Sequence, residues 1–167
     1  MWAPPHKGYF KLNTDGSWIG INNAGGGGVQ RCDKGLWQFG YAANYSAITP
    51  VVAELLAIKE GLLIAWAREI KLLELETDAA ALKKMLEDPD SFKDHDIGNI
   101  IRDVASILRR TWKVSIFHVS RYVKCVADKL ATIDITKVNP GQPALYHYPP
   151  TQLFESYVSE IPEMVAT

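Results

Sequence analysis

Two periods of apolar residues along the chain predict five strands and four helices. Alternation, or a short apolar run between turn residues, is typical of a strand, whereas apolar spacing of three and four is typical of a helix. The predicted strands cover residues 9–13, 29–32, 36–43, 71–77 and 112–119. The predicted helices cover residues 51–68, 78–86, 96–110 and 123–134. The order is therefore βββαβααβα, and we expect the first three strands to be antiparallel.

Capping and turn residues support these bounds. Thr49 can cap the first helix, and Pro50 suits its first position. The segment Thr14–Ser17 has the composition of a turn, so the first strand is expected to end there and to carry Asp15 at its end.

The regular spacing of apolar residues stops after Lys137. The segment Val138–Pro143 contains two prolines and a glycine, and the residues that follow combine three more prolines with scattered aromatic side chains. We therefore predict an α/β domain over residues 1–137, followed by a tail over residues 138–167 that is loosely ordered or packed back on the domain.

Composition narrows the class of protein. With 167 residues, of which 47% are hydrophobic and 22% charged, the chain suits one soluble domain. No apolar run approaches the roughly 20 residues that a membrane-spanning helix needs, so no membrane association is expected. Two cysteines and a start without a signal-peptide pattern favour a reducing cytoplasmic or nuclear setting. A net charge of -1 implies that any contact with nucleic acid is local.

Four carboxylates are the candidate catalytic residues: Asp15, Glu54, Asp78 and Asp128. Each of the three aspartates also has an ordinary structural explanation, as a turn residue, a helix N-cap or a partner of the helix dipole. Glu54 is different, because it lies about 60° from the centre of the apolar face of its helix. A carboxylate there loses hydration unless a partner or a metal ion compensates.

The predicted strand ends and the first helix can bring these carboxylates together. Clustered carboxylates repel one another and are stabilised by divalent cations, and hard oxygen ligands favour Mg²⁺ or Mn²⁺ over Zn²⁺. Two such ions can activate a water and stabilise a leaving oxygen, so the natural reaction is phosphodiester hydrolysis. The cysteines and histidines lack zinc-ligand spacing, and Gly25–Gly28 lacks the lysine of a nucleotide-binding P-loop.

Seven blocks of sequence, in order, resemble the type 1 ribonuclease H family, and specifically its plant reverse-transcriptase-like branch associated with retroelements. The blocks are Trp2–Pro5, Lys11–Ser17, Gly25–Val29, Ala53–Ala57, Glu76–Asp78, His118–Arg121 and Val126–Ala131.

The resemblance implies a ribonuclease H-like fold with a five-stranded mixed sheet flanked by helices. It also implies a monomeric endonuclease that uses Mg²⁺, or Mn²⁺, to hydrolyse the RNA strand of RNA/DNA hybrids, with the four carboxylates as metal ligands. The residues it assigns to nucleic-acid binding are Asn13, Gly16, Ser17, Arg121 and Lys124.

The chain departs from this family before its last helix. The family usually has Arg-Glu-x-Asn where this chain has Arg121-Tyr122-Val123-Lys124, and Lys124 could form an ion pair with Asp128 one turn later. The family's histidine-containing loop is also missing, so His118 is the candidate for proton transfer. These departures leave an alternative open, namely a catalytically silent nucleic-acid-binding or interaction module derived from a retroelement ribonuclease H.

Overall fold

The computed structural model describes residues 2–133 and 142–161. The strands are β1 Phe10–Gly20, β2 Asn23–Arg31, β3 Trp37–Tyr45, β4 Leu72–Thr77, β5 Lys113–His118 and β6 Ala144–Tyr146. The helices are α1 Pro50–Ala67, α2 Ala80–Glu87, α3 Gly98–Leu108, α4 Cys125–Ala131 and α5 Phe154–Glu160. The predicted order βββαβααβα is confirmed up to α4, and β6 and α5 follow it in the predicted tail.

The strands form one mixed sheet in the order β5-β4-β1-β2-β3-β6. The hairpin strands β1, β2 and β3 are antiparallel, whereas β4 runs parallel to both β1 and β5. The predicted mixed sheet is confirmed, but it has six strands among the described residues instead of five. The additional strand, β6, is only three residues long and pairs with Gly40–Ala42 of β3. It covers an edge whose backbone groups would otherwise need water.

One face of the sheet carries the main apolar core. Leu12, Leu73 and Leu75 project from β1 and β4 and pack with Leu55, Ile58 and Leu62 of α1, all fully buried. Helix α1 begins as predicted, because the Thr49 hydroxyl accepts a hydrogen bond from the Val52 amide at 3.2 Å. Of the helices in the described part of the chain, none is long and apolar enough to span a membrane.

The opposite face of β1 and β4 carries buried polar side chains. The Lys11 ammonium lies 3.1 Å from a Glu76 carboxylate oxygen. The Asn13 amide donates to the other oxygen of Glu76 at 2.8 Å and accepts a hydrogen bond from the Trp2 indole at 3.0 Å. Because every one of these groups has a partner, the layer can be buried without a large desolvation cost.

The described part of the predicted tail, residues 142–161, packs back on the domain. Leu153 and Tyr157 are buried with Val126 and Leu130 of α4. The Tyr157 hydroxyl accepts a hydrogen bond from the Trp37 amide at 2.8 Å and donates to the Gly35 carbonyl at 3.0 Å. The predicted domain boundary at residue 137 lies outside the described residues and stays a prediction.

An ion pair joins the last helix to β2. The Arg31 guanidinium is fully buried and lies 2.7 Å from a carboxylate oxygen of Glu160 at the end of α5. It also stacks over the Trp2 ring, 4.6 Å from the ring centroid. A buried guanidinium is destabilising without its counter-ion, so Arg31 ties the end of α5 to the sheet.

Two glycines allow helices to approach β1 and β2 more closely than any side chain would permit. A Cβ atom on Gly16 would lie 2.6 Å from the Glu54 backbone nitrogen in α1. A Cβ atom on Gly27 would lie 2.5 Å from the Ala131 backbone nitrogen in α4. Both distances are below any real contact, so α1 and α4 reach their positions because these two residues are glycine.

Replacing Gly16 with alanine should therefore push α1 away from β1. We expect the free energy of unfolding to fall by about 1–3 kcal/mol, the range for overpacking a filled site. Urea denaturation measures the change. The matched control is Gly20→Ala in the same strand, where a Cβ atom would meet nothing within 4 Å. Equal stability of the two variants would contradict the close approach.

Replacing Glu160 with glutamine should leave Arg31 buried without its counter-ion. We expect a loss of about 3 kcal/mol in the free energy of unfolding, as for other buried pairs that lose one partner. Thermal and urea unfolding would measure it. Glu155→Gln, an exposed position on the same helix, is the control and should stay within about 0.5 kcal/mol of the parent chain. A Glu160 variant as stable as that control would show that the tail is not held by this pair.

Candidate metal centre

A polar cleft of about 410 Å³ opens where β1, β4, α1 and α4 meet. All four predicted carboxylates contribute to it. The cleft is lined by Asp15, Gly16, Glu54, Asp78, Arg121, Tyr122, Cys125 and Asp128. Asp15, Glu54 and Asp78 each offer a carboxylate oxygen, and these three oxygens lie within 4.8 Å of one another.

Asp15 lies inside a strand, which corrects the predicted turn. Strand β1 continues to Gly20, and Asp15 pairs with Gly27 of β2. The parallel pairing of β1 with β4, however, stops at Asn13. Asp15 therefore lies just past the point where β1 loses one neighbouring strand, and its side chain, only 12% exposed, borders the cleft.

Glu54 reaches the cleft from the second turn of α1. Burial raises the pKa of its carboxyl to about 8, and the nearby Asp15 adds to the rise because a protonated Glu54 can donate a hydrogen bond to it. Lys124 acts in the opposite direction. Among the described residues, the buried Oε2 atom of Glu54 has no hydrogen-bond partner. The carboxylate whose burial the helical pattern predicted to be costly thus has an unsatisfied buried oxygen.

Asp78 follows the last residue of β4 and does not cap the next helix. Helix α2 begins at Ala80, and its preceding turn is held by the Thr77 hydroxyl, which accepts from the Ala79 amide at 3.2 Å. The structural role predicted for Asp78, helix capping, is therefore wrong. Its carboxylate is directed into the cleft instead.

Asp128, in the first turn of α4, lines the same cleft but is exposed and stands outside the close group of three oxygens. Partial loss of hydration in the cleft and a hydrogen bond with Asp15 raise the pKa of the Asp128 carboxyl, while the positive charges of Arg121 and Lys124 lower it.

Lys124 contacts different carboxylates from the one predicted. Its ammonium donates to the Thr14 carbonyl at 2.8 Å and to an Asp78 oxygen at 3.0 Å, and lies 3.5 Å from an Asp15 oxygen. The predicted ion pair with Asp128 is not formed. The cause is the 3-10 turn Arg121–Lys124, which ends before α4 begins and leaves the lysine side chain directed at β1.

The other predicted site residues are placed as follows. Arg121 is exposed and lines the cleft, and Ser17 is half-buried. Asn13 is fully buried with its amide group engaged, and Lys124 is 1% exposed, so neither side chain is open to a ligand in this arrangement. A ring nitrogen of His118 lies 3.2 Å from the Asp78 carbonyl oxygen, and the ring lines a separate depression.

Two residues that line the cleft, Tyr122 and Cys125, were not among the predicted site residues. Cys125 begins α4, and its thiol donates to the Tyr122 carbonyl at 3.3 Å, beside the exposed Tyr122 ring. Its position in the sequence could have indicated it, because Cys125 stands between Arg121 and Asp128, two residues already assigned to the site.

The residues of the cleft fit a divalent cation. Their donors are hard carboxylate oxygens, and the three closest lie near enough to share one ion. The unpartnered oxygen of Glu54 is what such an ion would satisfy.

Comparisons with known proteins agree with this fold. The reverse transcriptase-like family model matches residues 13–133. A candidate ribonuclease H protein of Arabidopsis thaliana is 34% identical over 131 residues, which are 78% of this chain. The chain spans only about a fifth (21%) of that relative's length.

Two solved structures share the architecture. Ribonuclease H1 of the halophilic archaeon Halobacterium salinarum superposes with a TM-score of 0.66 at 24% identity, over 74% of this chain and 94% of that one. LC11 ribonuclease H1, solved with an RNA/DNA hybrid, superposes with a TM-score of 0.68 at 21% identity, over 77% and 97% of the two chains. The chain therefore belongs to the reverse transcriptase-like family, and its fold is that of ribonuclease H.

Proposed function

We propose that the chain is a divalent-metal-dependent endoribonuclease that hydrolyses the RNA strand of RNA/DNA hybrids. The observation that carries the proposal is the group of three carboxylate oxygens of Asp15, Glu54 and Asp78 within 4.8 Å, with Asp128 beside them in one open cleft. The relative of Arabidopsis thaliana named for ribonuclease H and the solved hybrid complex of LC11 ribonuclease H1 support the substrate class.

Each residue has a role in this proposal. Asp15, Glu54 and Asp78 would hold Mg²⁺ or Mn²⁺, and Asp128 would complete a second position. Two bound ions would activate a water and stabilise the leaving oxygen of the phosphodiester. Arg121 stands at the cleft with its guanidinium exposed and would contact a phosphate. Discrimination of RNA from DNA would rest on the 2′-hydroxyl at the Gly16 and Ser17 side of the cleft.

A second candidate function is a catalytically silent nucleic-acid-binding module. The observation that favours it is the Lys124 ammonium, which already neutralises Asp15 and Asp78 within the cleft. Such a module would bind a hybrid in the presence of Mg²⁺ or Mn²⁺ without cutting it.

The variant Asp78→Asn separates the two functions. If the chain is a nuclease, cleavage of an end-labelled RNA/DNA hybrid with Mg²⁺ or Mn²⁺ should fall by on the order of a hundredfold or more, because one metal ligand is lost. Asp90→Asn, an exposed aspartate away from the cleft, is the control and should cut like the parent chain. Hybrid binding without cleavage by the parent chain, under both ions, would establish the silent module instead.

The variant Arg121→Ala tests the phosphate contact in either function. Hybrid affinity should fall, and the slope of log affinity against log salt should decrease by about one, as expected for one lost phosphate contact. Fluorescence anisotropy over a range of salt concentrations measures both quantities. Arg109→Ala, an exposed arginine that does not line the cleft, provides the comparison. If the slope is the same for both variants and the parent chain, Arg121 makes no such contact.

A further inference from the structure

The Lys124 ammonium contacts carboxylates whose negative charge a metal ion would otherwise neutralise. Its ammonium has three oxygen neighbours, one each from Thr14, Asp15 and Asp78, at 2.8, 3.5 and 3.0 Å. The side chain is only 1% exposed, so these oxygens replace its hydration. Three converging oxygens around a buried cation form the kind of environment in which a small metal ion is bound.

We propose that Lys124 is a tethered cation that competes with a divalent metal ion for Asp15 and Asp78. In this arrangement a divalent ion binds only when the ammonium moves away or at the cost of cation–cation repulsion. The proposal rests on the proposed metal site and adds to it the residue that sets its affinity. The chain is then a weak binder of divalent ions that folds in their absence.

Charge supports the proposal. Four carboxylates in one cleft carry up to four negative charges, and Lys124 is the one buried cation among the residues described around them. A metal ion held by Asp15 or Asp78 would stand within a few ångströms of the ammonium, because the same carboxyl groups contact both. Repulsion at that distance in a half-buried site is strong. The exposed Arg121 can turn to solvent freely, whereas the buried Lys124 must first break its contacts with Thr14 and Asp78.

The position of Lys124 supports it as well. A neutral side chain at this position could not compete for a carboxylate as a cation. The contact with the Thr14 backbone carbonyl also anchors the ammonium to β1, independently of any carboxylate. Removing the positive charge should therefore strengthen metal binding, whereas removing a merely structural lysine would not.

The test measures Mn²⁺ affinity by calorimetry and by electron paramagnetic resonance, with no nucleic acid present. We expect Lys124→Asn to bind Mn²⁺ at least about tenfold more tightly than the parent chain, because one positive charge next to the ion is lost. Lys124→Met, which keeps most of the side-chain length, should also bind Mn²⁺ more tightly than the parent chain. Lys124→Arg keeps the charge and should stay within about threefold of the parent chain.

Lys129→Asn is the matched control, with the same change of charge on the exposed side of α4, where the lysine contacts Ser156. It should leave the affinity within about threefold of the parent chain. If Lys124→Asn fails to fold without metal, its unfolding is followed by circular dichroism at increasing Mn²⁺. The dependence of stability on Mn²⁺ then gives the same constant through mass action, and rescue of folding by Mn²⁺ supports the proposal.

Two results would overturn the proposal, and they are distinguishable. Equal affinities of the parent chain and Lys124→Asn, both weakened by Asp15→Asn, would leave the metal site in place and remove Lys124 as a competitor. Absence of Mn²⁺ binding in every variant, at concentrations up to several millimolar, would remove the metal site itself and the proposed function with it.

Discussion

The close approach of two helices to the paired strands β1 and β2 determines where the side chains that these helices bring to the cleft lie. Helix α1 touches β1 at Gly16, and helix α4 touches β2 at Gly27, the residue paired with Asp15. The two glycines face opposite sides of the sheet, so the helices enclose Asp15 from both sides. Glu54 lies on α1, Lys124 lies immediately before α4, and Asp128 lies within α4. A side chain at either glycine would force its helix away from the sheet and so move these groups apart.

Such an approach has an electrostatic consequence. Carboxylates brought together in a partly buried cleft must share protons or cations. The chain does both. Burial raises the pKa of the Glu54 carboxyl to about 8, which favours its protonated form, and the Lys124 ammonium contacts both Asp15 and Asp78. These two adjustments let the domain fold around its acidic cleft before any ligand arrives.

The sequence predicts the four carboxylates and the strand and helix order, because each depends on a local pattern. Glu54 is recognisable from its place on the apolar face of a helix, and Asp78 from its place after an apolar strand. The length of β1 was underestimated, because Asp15–Ser17 resembles a turn but pairs with a glycine-rich strand. The partner of Lys124 was missed because its long side chain reaches β1, and its direction depends on a 3-10 turn that has no sequence period. Strand β6, with three residues, is too short to show any alternation.

Residues 142–161 of the tail do not line the cleft, but they pack against α4, which does. Helix α4 is held between β2 on one side and the Leu153 and Tyr157 side chains on the other. It has only seven residues, too short to be stable without such packing. Lys129, one residue after Asp128, also contacts Ser156 in α5. The described part of the tail, residues 142–161, therefore holds α4 against the sheet. The positions of Asp128 and Lys124 relative to Asp15 thus depend on residues that carry no chemistry of their own.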